Sequence, residues 1–105
     1  MLFQRLGLIL VLALYMNHAD AQNVSIRGTI MDTEKNPIEY ATVSFPAFNL
    51  AVTSTSQGQY IIKNAPKGKV RIVVRYLGKQ SVDTLVNVRG NMVLDFVMKE
   101  EDFHI

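Results

Sequence analysis

The chain has no cysteine and no tryptophan, and only two histidines and three prolines among its 105 residues. Without cysteine there is no disulfide, no thiol nucleophile and no thiolate metal site. The lipid-bearing residue of a bacterial lipoprotein is excluded as well. The histidines are poorly placed for catalysis: His18 lies in an apolar N-terminal stretch and His104 is penultimate. A Ser or Thr nucleophile would have only an imidazole on a loose chain end as its base, which argues against an enzyme. Charge of one sign is also scarce. Eleven Lys and Arg against nine Asp and Glu give a net charge of +2, too little for wholesale attraction to nucleic acid or a membrane. The longest apolar run, Leu6–Met16, has 11 residues, against the roughly 20 of a spanning helix.

That run has a different reading. Arg5 supplies a positive start, the apolar run follows, and Ala19-Asp20-Ala21 offers a small-x-small cleavage site. Residues 1–21 therefore read as a helical secretory signal peptide cleaved after Ala21. Cleavage removes Arg5 and Asp20, which cancel, so the mature charge stays +2 and 105 − 21 leaves 84 residues. A chain of that size forms one small domain that buries roughly 60% of its unfolded surface. It does so without disulfide support.

From residue 24 onward the period is two, not 3.6. Val24, Ile26, Gly28 and Ile30 share one face of a first strand, and Ala41, Val43 and Phe45 one face of a second. Leu50–Ser54 and Gln59–Lys63 flank Ser56-Gln57-Gly58, read as a hairpin turn with glycine at the positive-φ position. In Lys69–Tyr76 the residues Val70, Ile72, Val74 and Tyr76 face inward, while Lys69, Arg71, Val73 and Arg75 face outward. Ser81–Val88 follows, and Met92–Met98 places Met92, Leu94, Phe96 and Met98 inward. Asp32–Pro37, Asn64–Gly68, Leu77–Lys79 and Arg89–Asn91 are turns. The expectation is an all-β fold, a small seven-stranded antiparallel β-sandwich of the immunoglobulin-like or transthyretin-like kind over residues 22–99. An acidic tail, residues 100–105, follows it. A membrane barrel is disfavoured, because barrels use at least eight strands of about ten residues with aromatic girdles.

Four motifs occur in order: Gly28 ahead of Asp32; Pro37-Ile38-Glu39-Tyr40-Ala41-Thr42-Val43; Gly58-Gln59-Tyr60-Ile61-Ile62; and Arg75-Tyr76-Leu77-Gly78. Together they resemble the carboxypeptidase-regulatory-like domain found at the N-terminus of TonB-dependent outer-membrane receptors of the starch-utilisation type. Thr55 stands where the family usually has Asp, and Lys79 where an aromatic commonly follows. The resemblance implies a non-enzymatic periplasmic accessory domain, associated with the outer membrane. It assigns no catalytic residue, no metal and no cofactor. Its implied partner is a protein of the uptake or signalling machinery at the periplasmic face, with no nucleic acid and no stable membrane insertion. The TonB-interacting segment, plug and barrel of such receptors do not occur within these 105 residues. A truncated receptor, a fragment and a free-standing exported module for a carbohydrate or peptide are therefore the alternatives.

Three groups of side chains are candidate sites. Lys67, Lys69, Arg71, Arg75 and Lys79 lie on or beside one strand face and form a candidate basic interaction face for an acidic partner or anionic headgroups; the competing reading is a solvated sheet face. Asp32, Glu34 and Glu39 offer oxygen ligands around one turn, but Lys35 and Pro37 interrupt them, and Asp32 fits better as a turn residue that accepts backbone N–H groups. Tyr40, Phe48 and Tyr60 are the aromatics least committed to the core. They lack the paired spacing of a sugar platform, and Phe48 is expected to cap an open end of the sandwich.

Overall fold

The computed structural model describes residues 24–102. The expected signal peptide and its cleavage point, and His104, lie outside the described residues. Eight strands follow one another: β1 (Ile26–Asp32), β2 (Thr42–Phe45), β3 (Leu50–Thr53), β4 (Gln59–Ile62), β5 (Gly68–Arg75), β6 (Val82–Val88), β7 (Met92–Val93) and β8 (Phe96–Met98). One sheet has β1 in its centre, with β4 on one side and β7 and β8 end to end on the other; the second has the order β3-β2-β5-β6. The inward residues of both sheets form a single core. Ile26, Ile30, Val43, Phe45, Ile62, Ile72, Val74, Val88 and Met98 are fully buried in it, each worth about 1.5–3 kcal/mol.

The all-β sandwich stands, with three differences in detail. First, the strands number eight because the run expected over Met92–Met98 is broken at Leu94 and Asp95. Its register on β1 never slips: Ile26 pairs with Met92 and Ile30 with Phe96. No residue is inserted; instead, the Leu94 carbonyl turns away from the ladder. Second, the sheet is not wholly antiparallel, since β7 and β8 run parallel to β1. The first and last strands lie side by side in one sheet, and the long chain between them supplies the crossover that a parallel pairing needs.

Third, β3 and β4 are not a hairpin. The turn between them is tight, with Gly58 N donating to Thr55 O and Thr55 N to Gln59 O, each at 2.8 Å. Gly58 has φ +75, as the turn requires. Yet β3 pairs with β2 and β4 with β1, so the turn carries the chain from one sheet to the other. Residues 37–41 cross in the opposite direction. Ile38 N bonds Ile30 O in the first sheet, and Ser54 N bonds Ala41 O beside the second. Ser54, the one buried polar residue among those described, secures this crossing. Its Oγ accepts from Ala41 N at 2.9 Å and donates to Ile38 O at 2.6 Å.

Candidate functional site

The motif residues come first, because their geometry shows what they hold. Gly28 faces inward opposite Tyr60. A Cβ there would lie 1.9 Å from Leu94 O, so only glycine lets that carbonyl approach. The Tyr60 hydroxyl donates to the same Leu94 O. The ladder position that the carbonyl leaves is filled by a side chain: Asp95 Oδ1 accepts from Thr29 N at 2.8 Å. Burial, with a smaller contribution from Asp95, holds the Tyr60 phenol well above its ordinary pKa. Asp32 closes the next turn as expected, its Oδ1 accepting from Glu34 N and Asn36 N, each at 2.9 Å. The Asn36 amide in particular holds its carboxyl below the usual carboxylate range. Its carboxylate serves the turn, and no group of three Asp, Glu or His side chains among the described residues converges on a metal position. Each of these motif residues is committed to backbone geometry.

The basic face is only partly assembled. Lys69, Arg71 and Arg75 do lie along one face of β5, all exposed. Val73, between them and expected to face solvent, is 2% exposed on this central strand. Asp83 of β6 stands opposite Val73. Arg71 reaches it diagonally with two hydrogen bonds, Nε to Oδ1 at 2.8 Å and Nη2 to Oδ2 at 2.6 Å. That contact raises the Arg71 pKa and lowers that of Asp83, and the charge of Arg75 lowers Asp83 further. Lys67 lies in the turn before β5. Lys79 is drawn elsewhere: its ammonium pairs with Glu100, which holds its pKa above the ordinary value. The acidic tail is thereby pinned at its start, with Gln80 N donating to Lys99 O and Glu101 N to Gly78 O. Lys69, Arg71 and Arg75 thus share a face around one carboxylate, and Lys79 is paired apart from it.

The aromatic trio is dispersed. Tyr60 is in the core and meets Phe96 at a ring-centroid distance of 6.2 Å. Tyr40 is 71% exposed with a left-handed backbone, φ +64. Phe48 does not cap the sandwich: it is 51% exposed at the end of a 3₁₀ turn, Pro46–Phe48.

Strand register also creates a surface that sequence inspection misses. On the outer face of the first sheet Arg27 stands between Ile61 of β4 and Val93 of β7, and Thr29 pairs with Gln59 and bonds Asp95. A groove of about 770 Å³ passes over these residues and β4 to Val52, Thr53 and Thr55. The outward parity of Arg27, Ile61 and Val93 was readable strand by strand, but their adjacency depends on pairing. Among the described residues no helix is long and apolar enough to cross a membrane.

The sequence model of the CarboxypepD_reg-like domain matches residues 26–105. No curated protein matches the chain. Among solved structures, it resembles a chain of a type II cohesin–X–dockerin complex from Acetivibrio cellulolyticus, an N-terminal interface mutant. The TM-score is 0.65 at 19% identity, over 78% of this chain and 61% of that one. It also resembles chlorocatechol 1,2-dioxygenase from Pseudomonas putida, at TM-score 0.61 and 16% identity over 75% of this chain and 61% of that one. A streptococcal ancillary pilin gives TM-score 0.55 at 15% identity, over 78% of this chain and 34% of the pilin. The chain thus spans about three-fifths or less of the chains it matches, and at these identities the likeness is one of fold.

Proposed function

The chain belongs to the CarboxypepD_reg-like domain family, and from that membership we propose a non-enzymatic interaction domain at the periplasmic face of the outer membrane, the N-terminal extension of a TonB-dependent transporter of the starch-utilisation type. The observation that carries the interaction role is the face of β5. The Asp83 carboxylate holds the Arg71 guanidinium in a fixed orientation, with Arg75 and Lys69 exposed in line with it. Such pre-oriented cations suit an acidic protein surface and are of little use to a fold already held by its core. One structural relative is itself part of a protein–protein complex, which agrees with this reading. The dioxygenase likeness is one of scaffold, and the family motif residues here hold backbone turns.

Two experiments test the proposal. The reading frame beyond the Ile105 codon is expected to encode a TonB-interacting segment, plug and barrel; an unrelated gene there would remove the transporter context. Separately, the tagged domain is expected to capture an envelope protein, and joint reversal of Lys69, Arg71 and Arg75 to Glu is expected to abolish capture without lowering Tm by more than a few degrees. Retained capture would refute the role of this face. A second reading, a module for a peptide or carbohydrate, is favoured by the groove around Arg27. It predicts a rise in Tm with added ligand that is lost in Arg27→Ala.

A further inference from the structure

Every open sheet must protect its edges, and this sandwich has four. Three are protected by brevity: β3 and β4 have four residues each, and β7 and β8 are interrupted at Leu94 and Asp95. The fourth edge, β6, runs seven residues, Val82-Asp83-Thr84-Leu85-Val86-Asn87-Val88. It contains no lysine, proline, glycine or bulge, and its single charge, Asp83, is taken up by Arg71. Its pairing with β5 is regular from Val82 to Val88. Among the described residues no other strand pairs with its far side, and its backbone makes no hydrogen bond to backbone outside the ladder. Leu85 is 59% exposed at its midpoint. Thr84, which shares the inward face with Ile72, is exposed as well.

The order of side chains on β6 is self-complementary. An antiparallel pairing with a second copy, two-fold about Leu85, sets Leu85 against Leu85. It places Asp83 opposite Asn87, Thr84 opposite Val86, and Val82 opposite Val88. Apolar groups meet apolar or hydroxyl groups on both faces, and no like charges oppose each other. The two Asp83 carboxylates end up about 14 Å apart along the strands, beyond a Debye length in physiological salt. We propose that β6 is a homodimerisation edge, joining the four-stranded sheets of two copies into one continuous sheet with a closed two-fold interface. Seven residues of strand addition make a small interface, so the dimer is a weak one.

The absence of cysteine makes the test specific. Sedimentation of the purified chain across a concentration series is expected to show mass rising from monomer towards dimer, and Leu85→Lys is expected to abolish the rise while leaving the circular dichroism unchanged. Leu85→Cys keeps an apolar side chain at an exposed site. Under mild oxidation it is expected to form a disulfide dimer at least tenfold faster than Val93→Cys on the other sheet. Three results would overturn the proposal: a monomer at every concentration, self-association indifferent to Leu85→Lys, or equal cross-linking at the two positions. A monomer that accepts a strand from a different protein along β6 is one form of the first result.

Discussion

Replacing Gly28 by alanine probes the junction on which the first sheet depends. Gly28 lies outside the positive-φ region, so its need for glycine is one of space alone. The added Cβ would meet Leu94 O at 1.9 Å, Leu94 C at 2.6 Å and Asp95 Oδ1 at 3.0 Å. Ordinary contact begins near 3.4 Å, so the β7–β8 junction must retreat by 3.4 − 1.9, or 1.5 Å. That movement disrupts both the Tyr60 hydroxyl bond to Leu94 O and the Asp95 bond to Thr29 N. Overpacking against backbone costs about 1–3 kcal/mol, and a partly buried carbonyl without its donor costs about 1–3 kcal/mol. The stiffer unfolded chain returns only about 0.4–1 kcal/mol. The net loss is about 1–6 kcal/mol, a large share of the total stability of so small a domain. It corresponds to a fall in Tm of about 5 °C or more. Urea unfolding of wild type, Gly28→Ala, Tyr60→Phe and the double variant completes a cycle. The Tyr60→Phe cost should nearly vanish in the alanine background, because the bond it removes is already broken. Gly28→Ala within about 0.5 kcal/mol of wild type, or fully additive costs, would refute this account of the glycine.

Other consequences are open to measurement. Tyr60 is held protonated in the fold, whereas an unfolded tyrosine ionises near pH 10. Stability should therefore be intact below that pH and decline above it, and Tyr60→Phe should flatten the alkaline limb of a Tm–pH curve. Asp32 behaves in the opposite sense. Its folded pKa is depressed, so its contribution is present above about pH 4 and lost as pH falls through the lower folded value; Asp32→Asn should reduce the slope of the acid limb. Ser54→Ala strands Ala41 N and Ile38 O in the interior and should cost about 1–3 kcal/mol in denaturant unfolding. Ser54→Thr keeps the hydroxyl that makes both bonds and should recover part of that loss. Gly58→Ala should be more damaging than either, since it meets both a positive φ and Ile30 O at 2.4 Å; a soluble variant of near-native Tm would contradict the turn geometry.

Much of the fold was legible because alternation is a local property. The inward sets Val24–Ile26–Ile30, Ala41–Val43–Phe45 and Val70–Ile72–Val74 are all buried, as period two requires, whereas Tyr76, expected to continue the last of them, lies past the end of β5 and is 39% exposed. Gly58 and Asp32 were legible as turn residues for the same reason: φ preference and short-range carboxylate bonding act within a few positions. What failed was whatever required a partner. Val73 has the parity of an exposed residue, but it occupies a central strand beside the Arg71–Asp83 pair. Lys79 belongs to the basic stripe in sequence, yet Glu100 claims it from 21 positions away.

The interaction surfaces divide in the same way. Sequence alone determined that the described residues form strands, which side chains of most strands face inward, where most turns fall, and that Lys69, Arg71 and Arg75 share one side of a strand. Each of these follows from backbone geometry repeating every two residues. Tertiary structure decided which sheet each strand joins, that β1 lies parallel to β7 and β8, that Arg27 sits between Ile61 and Val93, and that β6 is left as the long open edge. Those outcomes depend on register between segments distant in sequence. Register is chosen by the whole core at once, because a shift of one residue would turn every buried side chain toward water.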